Sequence, residues 1–247
     1  MFAVDDPRVT KTSARASVAA DATRGDGAEG DESPVRSLET RALEPFLEDG
    51  VRAALDRLPF SRAEAQAVAS QVPQASLLQA TDFDATLALA TSGRLNGYRI
   101  VHFATHGLIN TSRPELSGLA LSLVDRDGRS RDGFLRLNTI YNLRLSADLV
   151  VLSACQTALG KEVAGEGLVG LTRGFMYAGT RRVIASLWQV SDVATAELMK
   201  KFYAFMLQRR LPAPAALRSA QLEMAKDPRW SSPYFWAGFV LQGDWKE

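Results

Sequence analysis

The chain is short of several things at once, and each shortage closes a route. Among 247 residues there is a single cysteine, Cys155. One thiol cannot close an internal disulfide, and its solitary use suits a reducing compartment such as the cytoplasm. The only histidines are His102 and His106. With one cysteine they cannot build a zinc site unless several carboxylates are borrowed, so no metal is expected. No apolar run reaches transmembrane length, and the opening Met1-Phe-Ala-Val-Asp-Asp lacks the basic-then-apolar order of a secretory signal. Formal net charge is +1, and no basic patch carries interleaved aromatics. Membrane and direct nucleic-acid partners are therefore not expected. The P-loop, EF-hand and Gly-x-Ser-x-Gly patterns are missing as well, and no cofactor is expected.

The scarce residues that are present fall in matching places. Leu149-Val150-Val151-Leu152 runs into Ser153-Ala154-Cys155, and the apolar stretch from Tyr98 to Ala104 runs into Thr105-His106-Gly107. Continuous Val/Ile/Leu runs mark strands buried on both faces of a parallel sheet, and such sheets collect ligands at their carboxyl ends. Two adjacent parallel strands would set a thiol and an imidazole on one rim, each just past its strand end. A thiolate attacks where a thiol does so poorly, and a cysteine nucleophile therefore needs a base beside it. The pair suggests a Cys/His hydrolase. Taken alone, either residue could be an ordinary buried group. His102, flanked by Val101 and Phe103 inside its strand, reads as structural.

Organisation along the chain is uneven. Residues 1–37 hold few large apolar side chains and read as a disordered leader or linker. Residues 38–57 show Leu43, Phe46, Leu47, Val51 and Leu55 at helical spacing, an accessory helical segment. From residue 58 to 247 the pattern alternates as a doubly wound α/β domain does. It predicts helices over 62–70, 83–92 (capped by Asp82), 138–143, 168–177, 193–207 and 213–225. Strands are predicted over 76–79, 98–104, 149–152, 182–188 and 234–242, with a hairpin turning at Asp125-Arg-Asp-Gly128.

Tyr98-Arg-Ile-Val-His-Phe-Ala-Thr-His106-Gly107 followed by Asp148-Leu-Val-Val-Leu-Ser-Ala-Cys155-Gln-Thr resembles the CHAT domain, a caspase-like family in the clan of caspases, separase and gingipains. Leu58-Pro-Phe-Ser-Arg-Ala-Glu-Ala, Gly165-Glu-Gly-Leu, Tyr177-Ala-Gly, Ala185-Ser-Leu-Trp188 and Tyr234-Phe-Trp-Ala-Gly-Phe-Val-Leu extend the likeness from about Leu58 to the C-terminus. The resemblance implies a caspase-like three-layer α/β/α sandwich with a mostly parallel central sheet. It implies a cysteine endopeptidase in which Cys155 attacks and His106 serves as base, with backbone N–H groups of Gly107 and Cys155 as the oxyanion donors. Ser186 and Trp188 become candidates for a groove that pairs with substrate backbone, and Asp192 a candidate specificity residue. Ser191 or Asp192 also reads as a cap for the helix that follows. In caspases the last strand pairs across a dimer, so a homodimer through 234–242 is a further implication. Only a short loop, 157–166, follows the cysteine, which implies one intact chain controlled by loop ordering or a regulatory protein partner.

Two other readings stand beside the protease. One is a catalytically silent scaffold or signalling module with the same fold. The other, a nucleotide-binding α/β domain, rests on Gly165-Glu166-Gly167-Leu168-Val169-Gly170, which matches Gly-x-Gly-x-x-Gly. That fingerprint needs its glycines in the turn directly after a strand, whereas 156–164 intervene here.

Overall fold

A computed structural model describes residues 2–3, 58–110, 113–159 and 166–245. Most of the expected leader and the accessory segment 38–57 lie outside the described residues. Phe2–Ala3 is a short strand, β1. The elements that follow are α1 Pro59–Ala69, β2 Ala80–Thr81, α2 Leu87–Thr91, β3 Ile100–Asn110, β4 Gly118–Ala120, β5 Phe134–Arg136 and α3 Leu137–Tyr141. Then come β6 Leu149–Leu159, α4 Glu166–Tyr177, β7 Arg182–Ser186, α5 Asp192–Tyr203, α6 Ala213–Lys226 and β8 Phe239–Gly243.

One sheet runs in the order β2-β1-β3-β6-β7-β8, with β4 pairing onto β3 and β5 onto β4. The pairs β2/β1, β1/β3, β3/β6 and β6/β7 are parallel, and β7/β8, β3/β4 and β4/β5 are antiparallel. Side chains alternate between the faces of a strand, and here both faces are dry. Phe103, Leu152 and Val183 pack with α2, α3 and α4, while Val151, Ile184 and Phe239 pack with α1, α5 and α6. This is the three-layer, mostly parallel architecture that the apolar runs imply, since strands covered twice have no polar face to show.

Local sequence explains the helices. Pro59 opens α1, where its missing N–H costs nothing, and Ser61, Glu64, Ala65 and Val68 form its buried stripe. In α5 the stripe of Leu198, Met199 and Phe202 is fully buried, and a π-helical turn, Ala204–Gln208, follows it. The hairpin turns at Asp125–Gly128 as expected, with Gly128 at φ 81° and its N–H bonded to the Asp125 carbonyl at 3.0 Å. Gly174 lets α4 lie directly on α3, because a Cβ there would stand 2.7 Å from Leu137 Cδ1.

Several expectations need correction. Helix α2 begins at Leu87, capped by the Thr86 hydroxyl, which accepts from the Leu89 N–H at 3.0 Å. Asp82 caps nothing there. It sits at φ 52° in a turn of 3-10 helix and accepts from Arg62 Nη2 at 2.5 Å. Of the strand expected over 76–79, Ser76 closes a 3-10 turn, Gln74–Ser76, and 77–79 lead on to β2 without being part of a strand. The last strand starts at Phe239, because Pro233–Phe235 forms another such turn.

Candidate functional site

Strands β3 and β6 are both 11 residues long and pair in parallel from Ile100↔Leu149 to Asn110↔Leu159. In that register His106 is the direct partner of Cys155. Register partners in a parallel pair share a sheet face, on neighbouring strands about 4.8 Å apart. The two residues lie inside their strands and not just past them. Leu108 and Ile109 continue β3 as buried strand residues, and β4 pairs with it at His106↔Ala120, Gly107↔Leu119 and Leu108↔Gly118. Strand β3 is thus flanked at Gly107 by β4 on one side and by Gln156 of β6 on the other. His106 is 8% exposed. Next to it, the Thr105 hydroxyl donates to the Ala120 carbonyl, which helps to hold β4 on β3.

The three groove candidates sit at the carboxyl end of β7 and beyond. Ser186 is buried, and its hydroxyl donates to the Trp188 carbonyl at 2.7 Å. Trp188 is half-buried, lies over Gly238, and donates from Nε1 to the Tyr234 carbonyl at 3.0 Å. Ser191 holds the N-cap position of α5 but its side chain makes no capping bond. Asp192 serves a different helix: its carboxylate accepts the Phe60 N–H of α1 at 2.9 Å. A carboxylate at the start of α1 satisfies an orphan amide and meets the positive end of the helix dipole. It also ties the first turns of α1 and α5 together at the rim. Of the Gly-x-Gly-x-x-Gly run, Gly167 and Gly170 lie within helix α4.

A buried polar cluster was not legible in the sequence. His102 Nδ1 lies 3.0 Å from the Tyr203 hydroxyl of α5, and His102 Nε2 lies 2.9 Å from Glu64 Oε1 of α1. The second contact has ion-pair distance without hydrogen-bond alignment. All three side chains are at most 2% exposed. Burial, and after it the charge of Glu64, pushes the Tyr203 phenol well above its ordinary range. His102 is therefore the structural histidine that its place between Val101 and Phe103 implied, but with ionisable partners. The one available clue was a Glu on the Ala/Val face of α1.

A family model described as CHAT domain matches residues 5–244. Tetratricopeptide repeat protein 28 of Mus musculus is 40% identical over 113 residues, 46% of this chain and 4% of that protein. Tetratricopeptide repeat protein 28 of Homo sapiens is 38% identical over 104 residues, 42% of this chain and 4% of that protein. The chain thus spans a small fraction of these relatives' length.

Proposed function

This chain belongs to the CHAT domain family, and from that premise we propose that it is a latent cysteine endopeptidase acting on a protein substrate through a Cys155/His106 dyad. The observation that carries the reading is the β3/β6 register, in which positions 106 and 155 are direct partners. In the proposed reaction the His106 imidazole takes the thiol proton of Cys155, and the thiolate sulfur attacks the carbonyl carbon of the scissile bond. The carbonyl electron pair moves to oxygen, where the N–H groups of Gly107 and Cys155 stabilise the developing charge. Collapse breaks the C–N bond, the amine leaves with the proton from the His106 imidazolium, and an acyl thioester remains. Water, deprotonated by His106, hydrolyses it to a carboxylic acid and the free thiol.

Two observations support latency. His106 is nearly inaccessible, and β3 is enclosed by β4 and β6 at Gly107. In this reading an activating partner or loop movement frees the oxyanion donors from the sheet ladder. Ser186, Trp188 and Asp192 border the substrate groove, with the Trp188 indole supplying the apolar wall. A reducing cytoplasm suits the thiol nucleophile, and among the described residues no helix is long and apolar enough to cross a membrane.

A second reading, a catalytically silent module that signals by association, draws on the relatives, whose name describes a repeat and not an activity. Labelling with a peptide carrying a thiol-reactive electrophile separates the two. The protease reading expects the native protein, once activated, to label faster than a denatured control and His106→Ala to lose that advantage. Native labelling no faster than the denatured control under every condition supports the silent module.

A further inference from the structure

Among the described buried residues, the ionisable side chains are Glu64, His102, Tyr203 and His106. Three of the four form the cluster described above, and the fourth is the base of the proposed dyad. We propose that Glu64, His102 and Tyr203 are positioning residues for His106 and Cys155. This inference rests on the dyad reading.

Geometry points the same way at each step. His102, Ala104 and His106 alternate along one face of β3, and their register partners are Val151, Ser153 and Cys155. The cluster thus lies four residues below the dyad position, about 13 Å along the strand. The layer between them is thin, consisting of Ala104, on which Ala65 of α1 packs, and Ser153. Ser153 is 5% exposed and its hydroxyl finds no partner among the described residues. No bulky side chain on β3 or β6 separates the two groups of polar atoms.

The contacts also define an orientation. The imidazole stands between groups of two helices, with Nε2 2.9 Å from Glu64 Oε1 of α1 and Nδ1 3.0 Å from the Tyr203 hydroxyl of α5. One ring therefore grips α1 with one nitrogen and α5 with the other. At the rim the same two helices are joined by the Phe60 N–H to Asp192 bond. The two helices are thus tied to each other at the rim and through His102 in the interior, on the face of β3 that also carries position 106. Polar clusters of this kind are a poor way to gain stability, since apolar replacements of similar volume are often as stable or more so. What the cluster contributes is a fixed height and rotation of α1 and α5 on the face that carries the dyad.

The test is the pH dependence of Cys155 alkylation by iodoacetamide, which needs no substrate and, with one cysteine in the chain, reports a single site. In wild type an imidazolium partner holds the midpoint below that of an unpaired thiol, and His106→Ala raises it. Tyr203→Phe and Glu64→Gln, which preserve shape, should each raise the midpoint part of the way, slowing alkylation at neutral pH about 3- to 10-fold. The double variant Glu64→Leu/His102→Leu, built to fold with an apolar cluster, should do the same. A profile identical to wild type in these variants, with only the melting temperature altered, would overturn the positioning role and leave the dyad intact. If His106→Ala itself leaves the wild-type profile unchanged, the dyad reading fails and this inference falls with it.

Discussion

Tyr203 shows how one buried oxygen ties stability to pH. Its phenol is raised above an ordinary value of 10.0 by burial first and by Glu64 second. A raised acid keeps its proton longer in the folded state than in the unfolded one. Its contribution is therefore complete below about pH 10 and is lost as pH climbs from there toward the folded value. Wild type should lose stability above about pH 10 more steeply than Tyr203→Phe, as denaturant midpoints across alkaline pH will show. At the surface, Asp227 is held at about 2, chiefly by its side-chain hydrogen bond to Arg229. Its contribution is present above the usual carboxylate range and disappears as pH falls through that value. Gly179 is a different kind of single-residue constraint. It adopts φ +110°, and a Cβ there would run into the Leu145 carbonyl. Gly179→Ala should cost about 1–3 kcal/mol, read from the denaturant midpoint at constant slope.

At the scale of elements, the local signals that were strong in the sequence were those with a mechanism behind them. The paired apolar runs are strands because both faces are covered, and the α5 stripe is buried because it repeats at helical spacing. Strand ends were harder to read. Thr-His-Gly and Ser-Ala-Cys look like exits from strands, yet β3 and β6 continue to Asn110 and Leu159 because each supplies the other's ladder partner and β4 adds a third strand at His106. Periodicity cannot reveal a two-residue strand such as β1, whose place comes from Ala80 and Phe103 on either side. Nor can it reveal a contact among residues 64, 102 and 203, which only the packing of α1 and α5 on β3 creates. Asp82 reads as the cap of α2 in the sequence, but the helix starts five residues later, at Leu87, with Thr86 as its cap and Asp82 at φ 52° in a preceding turn. Thr86→Ala should therefore lower stability by about 1 kcal/mol, while Asp82→Ala should leave α2 helicity unchanged by amide exchange in Leu87–Thr91.

At the scale of the whole molecule, the fold accounts for how the two residues of the proposed dyad come to the same place. The chain separates them widely, and one parallel register brings them side by side. The sheet ends at β8, whose outer edge carries no further strand among the described residues. An uncovered edge strand is a pairing surface, and the homodimer implied by likeness to caspases would use it. Sedimentation velocity should then show a concentration-dependent dimer that Leu241→Pro abolishes, since in the β7/β8 register the backbone of Leu241 faces away from β7. The central claim is that the molecule is a protease whose nucleophile is Cys155, and one measurement meets it directly: cleavage of a diverse peptide library by wild type and by Cys155→Ala, with and without candidate activating partners. The account predicts cuts by wild type that vanish in Cys155→Ala while the variant keeps its melting temperature. Cutting that persists undiminished in Cys155→Ala would contradict it.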